Sequence, residues 1–268
     1  MNKTLKELNL EDDFLFAKVM SDRKICKELL EKILKIEIEK VEMIEEQKTI
    51  DLLLESKGIR LDVYVKDENN TVYNVEMQRV RHKNLPKRLR YYQGSIDLDL
   101  ISKGEDYRKL SKSYIIFICT FDLFNKGRHQ YTFQNVCLED NNIILNDEAQ
   151  KIILNTKGFI KDLSQELLEF LEYVENSTDD TAKCAKCNLV KNIHQKVQDI
   201  KNDISVEVEF VTLLERDREK IEEGREEGRE EGIFLAKKVL KLSFAGYTIS
   251  QIAEKCNISE NQVKKILE

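Results

Sequence analysis

Glycine and proline together supply only ten of the 268 residues, nine and one respectively. Turns that depend on them are therefore scarce, which disfavours a sandwich and favours a helix-rich α/β chain. Long apolar runs are missing too. The longest, Tyr114 to Cys119, is far too short to span a bilayer, and the opening MNKTLKELNLEDDF lacks the apolar centre of a signal peptide. Six cysteines are scattered without a disulfide framework, so a reducing cytoplasm is the expected location. The lone CxxC at Cys184 and Cys187 has His194 as its nearest further ligand, too few for a structural zinc. There is no Gly-rich phosphate loop to support an NTP-driven mechanism, and His82 and His129 lack the partners of a nucleophilic triad. Nor is there an excess of basic charge: the formal net charge of −6 excludes a wholly basic nucleic-acid coat while leaving local patches open.

What is present centres on GIRLDVYVKDENNTVYNVEMQR, residues 58–79, which reads as a β-hairpin around the polar loop Asp67–Thr71. Alternation puts Leu61, Val63 and Val65 on one face of the first arm, with Arg60, Asp62 and Tyr64 on the other. In the second arm Tyr73, Val75 and Met77 oppose Asn74, Glu76 and Gln78. Matching apolar face to apolar face allows a register pairing Leu61 with Met77, Val63 with Val75 and Val65 with Tyr73. That register sets Asp62 opposite Glu76 and Arg60 opposite Gln78. Like charges directly opposed are destabilising, and a divalent cation between them removes the penalty. A solvated sheet face, where Asp, Glu and Gln are ordinary, is the bland alternative.

Around the hairpin, the pattern predicts two helices within Glu11–Leu34, the second capped at Ser21-Asp22, then a strand within residues 36–56. A helix follows over Leu85–Gly104, with Pro86 in its first turn and Leu85, Leu89, Tyr92, Ile96 and Leu100 as its apolar stripe. Ser113–Phe121 reads as a strand buried on both faces, and Tyr131–Leu138 and Lys151–Asn155 as further strands. Beyond Gly158 the chain turns helical: Leu163–Val174, a polar break at Asn176–Thr181, then Leu189–Arg218. IEEGREEGREEG, Ile221–Gly232, reads as a marginal solvated helix held by Glu222/Arg225 and Glu226/Arg229 pairs against the cost of its glycines.

A basic island adjoins the paired carboxylates. No acidic residue occurs from Met77 to Ile96, whereas Arg79, Arg81, Lys83, Lys87, Arg88 and Arg90 are all basic. In an acidic chain this points to phosphate positioning. Arg88, Tyr91, Tyr92 and Ser95 cluster at helical spacing, within reach of a phosphate if the helix lies against the hairpin; a solvated basic face with Tyr92 in the core is the alternative.

Seven stretches now carry a resemblance: DDFLFAKVMSD (12–22), RLDVYV (60–65), NVEMQ (74–78), NLPKRLRYYQGSID (84–97), KGEDYRKL (103–110), YIIFICTFDLF (114–124) and ILNTKG (153–158). In order and spacing they resemble the Rpn-type recombination-promoting nucleases, also described as transposases, of the PD-(D/E)XK nuclease superfamily. The resemblance implies an α/β, restriction-endonuclease-like core with a central mixed sheet flanked by helices. It also implies Mg²⁺-dependent hydrolysis of DNA, with Mn²⁺ as a substitute, and a link to recombination or transposition. Asp62 falls at the superfamily's first strand acid and Glu76 at its second. Gln78 stands where the superfamily usually has lysine. Glutamine orients a water or phosphate oxygen but supplies no charge, which leaves room for a nearby cation such as Arg88. Asp13 fits the motif's first-helix acid, with Glu28 and Glu31 as rivals.

The tail, Phe234–Glu268, reads as three short helices with turns at Gly246-Tyr247 and Asn257–Ser259 and with Thr248 and Ser259 as N-caps. Its apolar spacing suits a helix-turn-helix that would present Asn261, Gln262, Lys264 and Lys265 to DNA; a helical cap or dimerisation element is the alternative. The expected organisation is a nuclease-like core over 1–160, a helical extension over 161–220, a charged connector over 221–233 and the tail over 234–268. The helical arm is a possible homodimer contact. The functional reading is a metal-dependent DNA endonuclease; the alternatives are a catalytically weak or inactive DNA-binding protein and a protein-interaction scaffold.

Overall fold

A computed structural model describes residues 3–50 and 58–268. The part of the expected first strand beyond Ile50 lies outside the described residues. The chain divides into two compact units, residues 1–206 and 207–268.

The first unit is built on a mixed six-stranded sheet in the order β1-β2-β3-β4-β6-β5. Its strands are β1 (Val41–Ile50), β2 (Ile59–Asp67), β3 (Val72–Gln78), β4 (Ser113–Cys119), β5 (Gln130–Phe133) and β6 (Ala149–Asn155). β1, β2 and β3 form an antiparallel meander, β3, β4 and β6 run parallel, and β5 closes the edge antiparallel to β6. A parallel neighbour needs a crossover, and α3 (Leu85–Leu100) supplies it between β3 and β4.

Among the described residues two α-helices precede the sheet, α1 (Asp13–Met20) and α2 (Arg23–Leu34), separated at Ser21-Asp22. Asp22 caps α2 through its side chain, accepting from Lys24 and Ile25 N–H. α1 packs across β1, β2 and β3. α3 lies on the sheet through Leu85, Leu89, Tyr92 and Ile96, which meet Tyr64, Ile115, Phe117 and Ile153. Every residue of β3 and β4 is buried, as expected for strands covered on both faces.

Hence the face bearing Asp62, Glu76 and Gln78 is no solvated sheet face. It lies under α3, and Tyr64, on the polar side of the predicted alternation, is fully buried with Lys48 over its ring at 3.9 Å. The turn is held by Asp67, whose carboxylate accepts from Asn69 and Thr71 N–H and from the Tyr73 hydroxyl. Asn70 takes the left-handed conformation there, with φ of 59°.

Other boundaries moved. β5 covers four residues and stops at Phe133 rather than Leu138, while β6 starts at Ala149. α4 (Gln165–Glu175) is capped by Ser164, and the polar break at Asn176–Thr181 contains the start of a short helix, α5 (Asp179–Cys184), capped by Thr178. The predicted helix Leu189–Arg218 is two: α6 (Asn188–Lys201) and α7 (Ile204–Phe244). The break falls at Asn202-Asp203, where Asp203 accepts from Ser205 N–H and thereby starts a new helix. α7 then runs without interruption through the EEGR repeat.

In the second unit the end of α7 joins α8 (Ile249–Cys256) and α9 (Glu260–Leu267) around Val239, Ile252, Ala253 and Val263. Thr248 and Ser259 are N-caps, each closed into a capping box by the glutamine three residues on. Asn257 is left-handed at φ 53°, as the turn requires of a non-glycine residue.

Candidate active site

The β2–β3 register agrees with the predicted pairing at Val63↔Val75 and Val65↔Tyr73. The ladder ends at Val63↔Val75, so the expected backbone pairs Asp62–Glu76, Leu61–Met77 and Arg60–Gln78 do not form. The strands part there, and the two carboxylates take over the bonds that the main chain gives up. Asp62 N–H donates to Glu76 Oε1 at 3.0 Å, and Met77 N–H donates to Asp62 Oδ2, also at 3.0 Å. Arg60 turns instead to the Gln47 side chain on β1.

Glu76 is 1% exposed, which fixes its electrostatics. Burial raises its carboxyl well above the usual range, and the Asp62 charge adds to the rise. Burial likewise pushes the Asp62 carboxyl up to about 7; the Met77 N–H and Arg88 oppose that rise, and Asp13 reinforces it. A buried acid and a half-buried one so close together share protons as a pair.

The cation facing them comes from α3. Arg88 donates from Nη1 to Gln78 Oε1 at 2.7 Å and from Nη2 to Glu76 Oε2 at 3.4 Å, while its Nε donates to the Tyr92 hydroxyl at 3.0 Å. The helical stripe of Leu85, Leu89, Tyr92 and Ile96 seats α3 so that Arg88 points at β3. Gln78 is fixed at both ends of its amide, since its Nε2 donates to Val80 O at 2.7 Å.

A cleft of about 240 Å³ opens over this group, lined by Glu11, Asp13, Asp62, Gln78, His82 and Arg88 among others. Asp13, first residue of α1, is therefore brought to the acid pair. Its rivals are not: Glu31 accepts from Ile38 N–H, and Glu28 faces Lys32 at 3.8 Å. Glu11 and His82 are cleft residues that the sequence reading missed. Glu11 lies two positions before the matched acid, and His82 has no triad partner in the sequence to mark it.

The donor set suits a hard divalent cation. Asp62, Glu76 and Asp13 offer only oxygen, and burial, more than the charge of a neighbour, raises the Asp62 and Glu76 carboxyls, a cost that a bound cation would offset. Among the described residues no group of three or more His, Cys, Asp or Glu side chains is placed to hold a metal ion. Magnesium bound through one or two carboxylates, with waters and substrate oxygens completing its shell, needs no group of three.

The basic island divides by role. Arg79 pairs with Asp12 at 3.5 Å, and Arg81 donates to Leu123 O at 3.0 Å, so both tie neighbouring segments together. Lys83, Lys87 and Arg90 are exposed, as is Tyr91. In the second unit, Asn261, Gln262, Lys264 and Lys265 are all exposed on α9. Gln262 Oε1, however, accepts from Ser259 N–H at 2.9 Å, so its carbonyl serves the cap.

No described helix is long and apolar enough to cross a membrane. Neither the curated proteins nor the solved structures yield a match to this chain. A family model described as PD-(D/E)XK nuclease family transposase matches residues 11–229, well over half of the sequence and including every residue of the acid cleft. With the mixed sheet and its strand acids in place, the chain belongs to the PD-(D/E)XK nuclease family transposases.

Proposed function

We propose that the protein is a metal-dependent DNA endonuclease that hydrolyses phosphodiester bonds in recombination or transposition. The observation that carries this reading is the buried Glu76 carboxylate bonded across the strands to the half-buried Asp62, beneath α3, whose stretch from Leu85 to Ile96 is basic and free of acid. Asp62 and Glu76, with Asp13 at the rim, would hold Mg²⁺ or Mn²⁺. Such an ion supplies positive charge for an attacking water and for the phosphate in the transition state.

The chain's own residues do the rest. Met77 N–H and Asp62 N–H hold the two carboxylates in fixed orientation, so the donors are set before substrate arrives. Arg88 brings the charge that the superfamily's lysine would have brought, and Gln78 positions it. Loss of a lysine at that place is thereby offset, and Gln78 acts through Arg88. Lys83, Lys87 and Arg90 hold the backbone phosphates without reading sequence.

Plasmid nicking by the purified protein tests this. Cutting is expected with Mg²⁺ or Mn²⁺, none with chelator, and none from Asp62→Ala or Glu76→Ala. Nicking that ignores metal, or survives both substitutions, overturns the reading. A second reading, a DNA-binding protein without catalysis, draws on the exposed Asn261, Lys264 and Lys265 of α9. It is favoured if binding persists without cutting and depends on those two lysines.

A further inference from the structure

Beside the acid cleft lies a larger one of about 580 Å³, lined by His82, Asn84, Lys87, Arg88, Arg90 and Tyr91 among others. His82 and Arg88 line both clefts, so whatever fills the second is contiguous with a phosphate held in the first. We infer that the second cleft receives an unpaired nucleotide next to the scissile phosphate. The substrate is then DNA with unstacked bases (a single strand, a frayed end or an extruded base) rather than uninterrupted duplex. This deepens the nuclease reading and rests on it for the placement of the scissile phosphate.

Three features carry the inference. Size is the first: about 580 Å³ falls within the range of small-molecule sites, about 300–1,000 Å³, whereas the acid cleft falls below it. A nucleotide fits the one, and a phosphate with its ion and waters fits the other. The second is composition. The named lining residues include three cations and no acid, with Tyr91 41% exposed among them. Cations with an aromatic ring form the pairing that binds single strands, the charges tracking phosphates and the ring stacking on a base. The third is accessibility of the ligand. In a duplex each base is already stacked on both faces and paired at its edge, so a ring on the cleft wall stacks only on a base that has left the stack. Asn84 and His82 add hydrogen-bonding groups that such a base would present its edge to.

The test is fluorescence anisotropy with the full chain, in chelator so that no strand is cut. The probes are a short labelled oligodeoxynucleotide as a single strand and the same sequence as a duplex. The single strand is expected to bind more tightly at equal salt. Tyr91→Ala should weaken it by about tenfold, the size of one lost base stack, and leave duplex affinity and the salt slope unchanged. Tyr91→Phe should restore it, because stacking needs the ring and not the hydroxyl. Lys87→Ala should instead lower the salt slope for both probes. Equal affinity for the two probes, or a Tyr91→Phe loss as large as that of Tyr91→Ala, overturns the inference. The nuclease reading fails separately: this binding pattern without metal-dependent cutting would sink it and leave the nucleotide cleft standing, whereas cutting with no Tyr91 dependence would do the reverse.

Discussion

Glu76 accepts the backbone N–H of Asp62, and Asp62 accepts the backbone N–H of Met77, each at 3.0 Å. The two acids are thus clamped across the open end of a strand pair, each holding the other's strand. Such a clamp keeps two carboxylates together against their repulsion, with Glu76 buried under α3, where water screens it little, and Asp62 at the cleft.

That arrangement makes stability depend on pH in a definite direction. In the folded protein the Asp62 carboxyl titrates near 7 and that of Glu76 lies well above its usual range. In the unfolded chain both titrate near their ordinary values, roughly 4. Between those limits the folded form binds more protons, so the pair's contribution is largest below about pH 4 and is lost as pH rises through about 7. Thermal melts of the metal-free protein should show this fall, and the Asp62→Asn/Glu76→Gln double variant should show a flatter profile. Added Mg²⁺ should restore stability most at the high end, where the acids are ionised. Parallel profiles for the two proteins would contradict the assignment.

The same crowding predicts opposite effects from two neighbours. Asp62→Asn removes a charge from a place where charge is costly, while its amide oxygen can still accept Met77 N–H. It should stabilise the metal-free protein by about 0.5–2 kcal/mol and abolish cutting, the usual exchange between stability and function. Arg88→Ala should destabilise by about 1–3 kcal/mol, because Glu76 loses its cation and Gln78 its donor. Its effect on kcat should reach about 10²-fold, as for other charge-stabilising donors. Arg88→Lys should recover only part of each, since ammonium cannot span Gln78, Glu76 and Tyr92 together. Denaturant melts and single-turnover rates check both; an Arg88→Ala protein as active as the parent would remove Arg88 from the mechanism.

Much of this site could be read in the sequence, and the unread part has physical causes. Strand alternation has a period of two, so the pairing of Val63 with Val75 was visible in the hairpin alone, and with it the facing of Asp62 and Glu76. Where the ladder ends is not periodic information, so the pairs Asp62–Glu76, Leu61–Met77 and Arg60–Gln78 do not form as the alternation predicts, and Asp62 and Glu76 meet through side-chain bonds instead. The stripe of α3 was legible too, but whether Arg88 beside it reaches Glu76 depends on how the helix docks on the sheet. Asn202-Asp203 broke a helix without glycine or proline, through a side-chain bond from Asp203 to the next residues. Tyr64 shows the limit of pattern reading most plainly: it alternates with polar residues, yet α3 buries it.

On α9, the exposed polar residues should separate into two kinds. Gln262 closes the capping box with Ser259, so Gln262→Ala should cost the second unit about 1 kcal/mol, seen as earlier melting of the tail. Asn261→Ala should not. If the tail holds DNA, Lys264→Ala and Lys265→Ala should each lower the slope of log affinity against log salt by about one, with stability unchanged. A slope untouched by both would remove these lysines from the DNA contact.

The EEGR repeat yields a prediction in which the sign is the informative part. Gly224, Gly228 and Gly232 recur every four residues on α7, and a Cβ added at any of them meets nothing within 4 Å. Within one chain, glycine there only weakens the helix, by about 1 kcal/mol each relative to alanine. Replacing all three by alanine should therefore raise hydrogen-exchange protection across residues 221–233 and leave the cutting rate unchanged. The reverse result, lower protection together with weaker self-association in sedimentation, has one physical source: a second helix lying close against the glycine face, where the new methyl groups hold it off. Glycine lets two helix backbones approach more closely than alanine does, and the flanking glutamates and arginines are of opposite sign. A fall in protection would thus convert the solvated connector into the seam of a homodimer.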